Sequence, residues 1–410
     1  MATEMVSEEA EAAESEGGGR LRWTPVKWLW LAGIVALLIG SIGVIDRIQH
    51  GLRPTDLGSF VPWGLWVSAY EYFVWLEVGS LFMFTLLVYV FKWKSLLPGM
   101  ARMLYLTAIA ILGMALILIG LDLGHPLRVW HVVVHPQWSS LMTWMIWLHV
   151  VYMAVLVGKL YIELRPSAAG ERISRWLSYA SLPLGIGLVV IAGSVFGVII
   201  GRPTWQSSAL PLYFFLSALV AGTGLLTAQF VWFWPGKRDE AYMATARRLG
   251  RLLLGLLMVG LVASALGGLI ILYPGVPAQA EALRLTLFGP FWWVYWVLHI
   301  GLGIIVPIVL LLGTSQTARR IGVAAILFTI TFIAVPLNIV IPAQLAIETV
   351  EPGLIAAYQG PGLVPYYFPT VSEWLLMLFA MAFGFLVFLY GYNVLWLRPR
   401  ADVNNQPEGT

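Results

Sequence analysis

Residues 120–144, GLDLGHPLRVWHVVVHPQWSSLMTW, separate two long apolar runs at 103–121 and 140–162. The stretch carries three of the chain's six histidines, His125, His131 and His135, with Asp122, Arg128, Trp130, Trp138 and Trp144. A connection that only joins two membrane helices needs none of this chemistry. The apolar runs beside it are each about the ~20 residues that cross a ~30 Å hydrocarbon core as helix.

Working outward, the same run length recurs at 28–45, 62–91, 176–200, 210–234, 250–273, 290–313, 321–347 and 373–397. The 410 residues are 60% hydrophobic and only 11% charged, against roughly a quarter charged in soluble domains. The fold class is therefore an all-α polytopic membrane protein of ten transmembrane helices. Pro336 and Pro342 predict a kink or break in the ninth span. Residues 1–27 read as a disordered acidic tail and 398–410 as a second tail, with no cleaved signal peptide.

Ten spans put both termini on one side. Nineteen of the 24 Lys and Arg residues then share that side, and Arg47, Arg53, Arg128, Arg202 and Arg284 take the other. The positive-inside rule makes both termini cytoplasmic, in a bacterial inner membrane, and puts the 120–144 stretch on the outer face. The net charge of +3 is explained by this topology and not by nucleic acid. Cysteine is absent, which excludes thiolate-held iron–sulfur clusters and disulfides within the chain. A redox role would then use a bound organic cofactor, histidine-ligated haem, or clusters on another subunit.

Two offsets suggest an internal repeat. Pro62 precedes Ser68-Ala69 as Pro211 precedes Ser217-Ala218, 149 residues on, and His149 and His299 are 150 apart. The expected organisation is a first helix and outer loop (28–61), a four-helix bundle (62–200) and a parallel copy of it (201–347). An outer loop and tenth helix (348–397) follow. The second copy lacks the histidine and carboxylate of Asp122-Leu123-Gly124-His125-Pro126, so one chemical site belongs to the first bundle.

The segment DLGHPLRVWHVVVHPQWSSLMTW (122–144) resembles the signature of the NrfD/PsrC family, the polysulfide-reductase-type membrane subunits. FGVIIGRPTWQSSALPLYFFLSALVAG (196–222) and VPWGLWVSAYEYFVWLEVGS (61–80) are similar to further stretches of that family. NIVIPAQ (338–344) and YYFPTVSEW (366–374) resemble its ten-helix branch of hydrogenase and sulfur-metabolism subunits. The resemblance implies two four-helix bundles and exchange of electrons with membrane quinone (menaquinone or ubiquinone) near the outer face of the first bundle. It implies a four-cluster ferredoxin-like iron–sulfur partner on that face and a molybdopterin or other catalytic subunit, where substrate catalysis would occur, and no haem in this chain. Glu71 and Glu77 depart from the small and apolar residues usual in that helix.

A quinone needs hydrogen-bond partners for two carbonyls, an apolar slot and a proton route. Asp122 and His125 lie one helical turn apart, and histidine titrates near neutral pH. Tyr70 and Glu77 share a face of the second span, with Glu71 beside them. Intramembrane carboxylates default to a functional reading. The expected catalytic residues are Glu71, Asp122 and His125. Tyr70, Arg128, Trp130, His131 and Arg202 complete the quinone contacts, and Glu77 and His149 form a proton path; no metal site is expected. The bland readings are a helix cap for Asp122, buried neutral acids for Glu71 and Glu77, a rigid linker for Arg202, and a surface residue for His135. Two other functions stay open: a proton-translocating module or secondary transporter on the parallel repeat, and a haem-b carrier ligated by His149 and His299.

Overall fold

The computed structural model describes residues 25–93, 100–165, 167–234, 236–273, 276–313, 316–346 and 366–394. The two tails, Lys94 and much of the expected last outer loop lie outside them. Among the described residues there is no strand, and ten helices are long and apolar enough to cross a membrane.

In chain order these are α1 (Pro25–His50), α2 (Leu65–Thr85, continued as a π-helical turn Leu86–Val90) and α3 (Met100–Asp122). A 3₁₀ turn and the short α4 (Trp130–Val134) lead to α5 (Leu141–Leu164). Then come α6 (Ala168–Gly197), α7 (Leu210–Phe233) and α8 (Glu240–Leu272). The 12-residue α9 (Pro277–Phe288) is too short to span. It precedes α10 (π-helical Val294–Ile305, then α-helical to Leu312), α11 (Ala318–Thr331), α12 (Ala334–Leu345) and α13 (Val371–Val394).

The ninth span is the pair α11–α12, interrupted at Phe332-Ile333. Pro336 causes the break: it has no N–H to donate to the Phe332 carbonyl, and it sits in the first turn of α12, where that loss is tolerated. Pro342 stays within α12.

Helices α2 and α7 form the centre, each 78% buried along its apolar window, whereas α8 is 6% buried and turns outward. They cross with their backbones touching. A Cβ on Gly79 would lie 1.7 Å from the Ala218 carbonyl oxygen, and one on Gly222 would lie 1.9 Å from the Gly79 carbonyl carbon. Without a hydrophobic drive between helices in lipid, such small-residue crossings supply the packing contact. Around this axis α2 packs on α3 and α6, α3 on α5, and α5 on α6, closing one ring. Helices α7, α8, α10 and α11 close a second, and α1 pairs with α13, which packs on α3.

Candidate functional site

Helix α3 ends at Asp122, and Arg47 from α1 holds that end. Its Nε donates to the Leu121 carbonyl (2.7 Å) and its Nη2 to that of Leu123 (2.6 Å). Four unpaired carbonyls terminate any helix, and a cation over them is favourable. Arg47 is 4% exposed, although its position in the sequence reads as loop charge. It also stands in electrostatic reach of Asp122, whose Oδ1 is buried without a hydrogen-bond partner.

The roof over α2 comes from the far end of the chain. Thr370-Val371-Ser372-Glu373 opens α13 as a reciprocal capping box. Thr370 N donates to Glu373 Oε1 (3.3 Å) and Glu373 N donates to Thr370 Oγ1 (3.4 Å). The same carboxylate accepts from Asp56 N (3.0 Å) and from the Tyr367 hydroxyl. Tyr367 oxygen in turn accepts from Leu65 N (2.7 Å), the first residue of α2. Gly64 is required here, since a Cβ would lie 2.1 Å from the Tyr367 oxygen. Burial foremost, with the neighbouring Glu373 charge, holds the Tyr367 phenol well above its usual range. Sequence reasoning singles out neither Glu373 nor Tyr367. The signal for Glu373 is there, as the Thr-x-x-Glu box before an apolar run; nothing local marks Tyr367.

Below the roof, α2 carries Tyr70, Glu71 and Glu77, all buried. The Tyr70 hydroxyl lies 3.2 Å from His149 Nε2, and His149 Nδ1 lies 2.7 Å from the Met145 carbonyl. A carbonyl only accepts, so Nδ1 carries the proton and Nε2 accepts from Tyr70. Both ring nitrogens are thereby hydrogen-bonded. Glu71 Oε2 and both oxygens of Glu77 are buried with no hydrogen-bond partner. Glu77 is in electrostatic reach of Tyr70 and of Tyr152 on α5.

The connection after α3 is a different kind of place. His125, Arg128, Trp130, His131 and His135 are exposed, with Trp130 stacked on His131 (centroids 3.9 Å apart) and His131 on His135 (6.3 Å). Arg202 is drawn elsewhere. It donates to the carbonyls of Gln344 (3.1 Å) and Phe60 (2.6 Å), while Trp205 Nε1 donates to that of Ile339 (2.8 Å). These bonds tie the 198–209 connection to α12 and to the entry of α2. His299, the partner of His149 by offset, has Nδ1 unpartnered and lines a cavity in the second ring with Tyr213, Ser217 and Ser264. Among the described residues no three His, Asp or Glu side chains gather as a metal site needs.

The structure thus brings together Tyr70, Glu71, Glu77 and His149 inside the first ring, with Asp122 at its end. It leaves His125, Arg128, Trp130 and His131 on the surface above. Residues 55–348 match the family model of the polysulphide reductase NrfD. The chain belongs to the NrfD family.

A selenate reductase subunit of Mesobacillus selenatarsenatis is 28% identical to it, over 87% of this chain and 89% of that protein. The Hdr-like menaquinol oxidoreductase integral membrane subunit of Archaeoglobus fulgidus is 26% identical, over 92% and 95%. A putative dimethyl sulfoxide reductase membrane subunit of Halobacterium salinarum is 29% identical, over 75% and 73%. These NrfD-family relatives are named as subunits of reductases or oxidoreductases.

Proposed function

We propose that this chain is the quinone-reactive membrane subunit of a multi-subunit reductase complex, exchanging electrons between the membrane quinone pool and an iron–sulfur partner. The observation that carries the reading is the set of buried carboxyl oxygens without partners, on Glu71, Glu77 and Asp122, around the Tyr70–His149 pair. Unpartnered polar atoms inside a membrane protein are costly, and they are retained where a ligand or a proton completes them. A quinone suits this donor set, because its two carbonyls accept and its reduced form donates. The relative named as a menaquinol oxidoreductase subunit supports the choice of menaquinone.

Asp122 and Glu71 would hold the ring's oxygens and take or give its protons, with Tyr70 relaying to His149. His125 stands at the mouth. The exposed Trp130–His131–His135 stack and Arg128 form the surface on which the iron–sulfur subunit docks, since the chain has no thiolate of its own. Positive-inside topology puts this surface on the outer face of a bacterial inner membrane, with the termini cytoplasmic. Arg202 acts as a clamp between the rings rather than as a quinone contact, because Nη1 and Nη2 each donate to a carbonyl on a different segment. Glu77 and His149 begin a proton path inward.

The test is quinol oxidation by the purified complex with Glu71→Gln and Asp122→Asn. Each should lower kcat by about a hundredfold, the scale of a lost proton-transfer group. Partner subunits should still co-purify. Unchanged turnover in both variants, or a chain that purifies without an iron–sulfur partner and without quinone, would sink the reading.

A further inference from the structure

Helix α5 buries few positions: Thr143, Met145, His149, Tyr152, Leu156 and Lys159. His149, Tyr152 and Lys159 are spaced by three and seven residues and so lie on one face, turned toward α2 and α3. Lys159 is ten residues beyond His149, about 15 Å at 1.5 Å per residue, toward the end of the ring opposite Asp122. The residue is 1% exposed, an unusual burial for a lysine.

Among the described residues no carboxylate pairs with it directly. Nζ donates to the Ser174 carbonyl (2.9 Å), to Ser174 Oγ (3.1 Å) and to Ser178 Oγ, and it sits over the Tyr105 ring (4.7 Å to the centroid) and the Tyr89 ring (5.9 Å). Ser174 Oγ lies 3.3 Å from Glu163 Oε1, near the end of α5. In the other direction Ser178 stands in electrostatic reach of Tyr105, Tyr105 of Tyr152, and Tyr152 of Glu77. The groups facing Lys159 are therefore Tyr89 and Tyr105 from α2 and α3, Ser174 and Ser178 from α6, and Glu163 from its own helix.

We propose that Lys159 is the proton-exchange site at the far end of the first ring. The buried line from Tyr70 and His149 through Glu77, Tyr152 and Tyr105 then opens on the membrane face opposite Asp122. A lysine can serve because its ammonium gives up a proton and regains one, which arginine does not do in proteins. The proton passes between the ammonium and water by Ser174 Oγ and Glu163, and between the amine and the ring interior by Ser178 and Tyr105. One proton given up and one regained return lysine to its starting charge. The consequence is that protons used or released at the quinone site are exchanged across the membrane.

This inference rests on the quinone reading above, and one experiment separates the two. The complex, with its partner subunits, is placed in liposomes containing menaquinone in the bilayer and the pH dye pyranine inside, partner side outward. Reduced methyl viologen is added outside. Two viologen radicals and two protons reduce one menaquinone, so the side supplying the protons is read directly. In the wild type the lumen should turn alkaline in step with viologen oxidation, and an uncoupler should abolish the signal. Lys159→Met and Lys159→Arg should each lose at least tenfold of the luminal signal, and menaquinone-dependent viologen oxidation should fall in step because the same protons complete the quinol, while the partner subunits and menaquinone still co-purify. Glu163→Gln, a milder change, should slow the signal several-fold. An unchanged luminal signal in Lys159→Met, or full function in Lys159→Arg, overturns the proposal and leaves Lys159 a structural cation. Viologen oxidation without any luminal change in the wild type overturns it too. No menaquinone-dependent viologen oxidation at all overturns the quinone reading, and this inference falls with it.

Discussion

Tyr70 on α2 and His149 on α5 are joined by a 3.2 Å hydrogen bond whose direction is fixed by the Met145 carbonyl behind the imidazole. Two helices of the first ring are thus coupled through a phenol donor and an imidazole acceptor, between unpartnered carboxyls above and below. Tyr70→Phe removes the donor and little else. Its stability cost should be about 1 kcal/mol, the net worth of one such bond. Quinol turnover should fall by roughly a hundredfold with KM nearly unchanged, as expected for a group that moves a proton rather than binds the ring. Steady-state kinetics with thermal unfolding of the same preparation checks both parts.

The contact of Gly79 with Ala218 and Gly222 leaves no room for a methyl group. Gly79→Ala should destabilise the protein by roughly 1–3 kcal/mol, toward the upper end because backbone faces backbone. Gly255 has nothing within 4 Å of its added Cβ, so Gly255→Ala should be neutral or mildly stabilising. A thermal melt in detergent comparing the two glycine variants decides whether α2 and α7 meet as described.

Arg202 makes two charge-assisted bonds to carbonyls. Arg202→Ala should cost about 3 kcal/mol, and Arg202→Lys a good part of that, since a point charge cannot hold both acceptors in the same fork. The KM for quinol should stay within about twofold in the lysine variant, because the clamp acts on packing. A large rise in KM with normal stability would return Arg202 to the quinone site.

Tyr367 lies outside the spans and its phenol titrates well above its usual 10, through burial first and Glu373 second. The folded state therefore keeps a proton that the unfolded chain loses above about pH 10. Stability from this group is full below that pH and is lost as pH rises through the alkaline range. Between pH 8 and 11 the melting temperature should fall less in Tyr367→Phe than in the wild type. The variant starts lower at pH 8, having lost its bonds to Glu373 and Leu65 N.

Part of the candidate site is legible in the residue pattern. Glu71 and Glu77 stand out because carboxyls are rare in apolar runs, and Asp122 because it ends one. Lys159 and Arg47 do not stand out. Each lies near the end of an apolar run, where a basic residue reads as loop charge, and only packing shows their burial at 1% and 4% exposure. Arg202 reads as a residue in a site-like motif, while its two carbonyl acceptors are 142 residues away on either side. Glu373 announces a helix cap but not the roof over α2, 307 residues distant from Trp66, whose indole donates to its carbonyl.

What the sequence determined by itself is the class, the ten spans and the break at the ninth, because hydrocarbon thickness, backbone hydrogen bonding and proline act locally. Which polar residues meet was decided only by the tertiary structure. Such meetings depend on which helices cross and at what height, and those follow from long-range contacts such as Gly79 against Gly222, which no local pattern encodes.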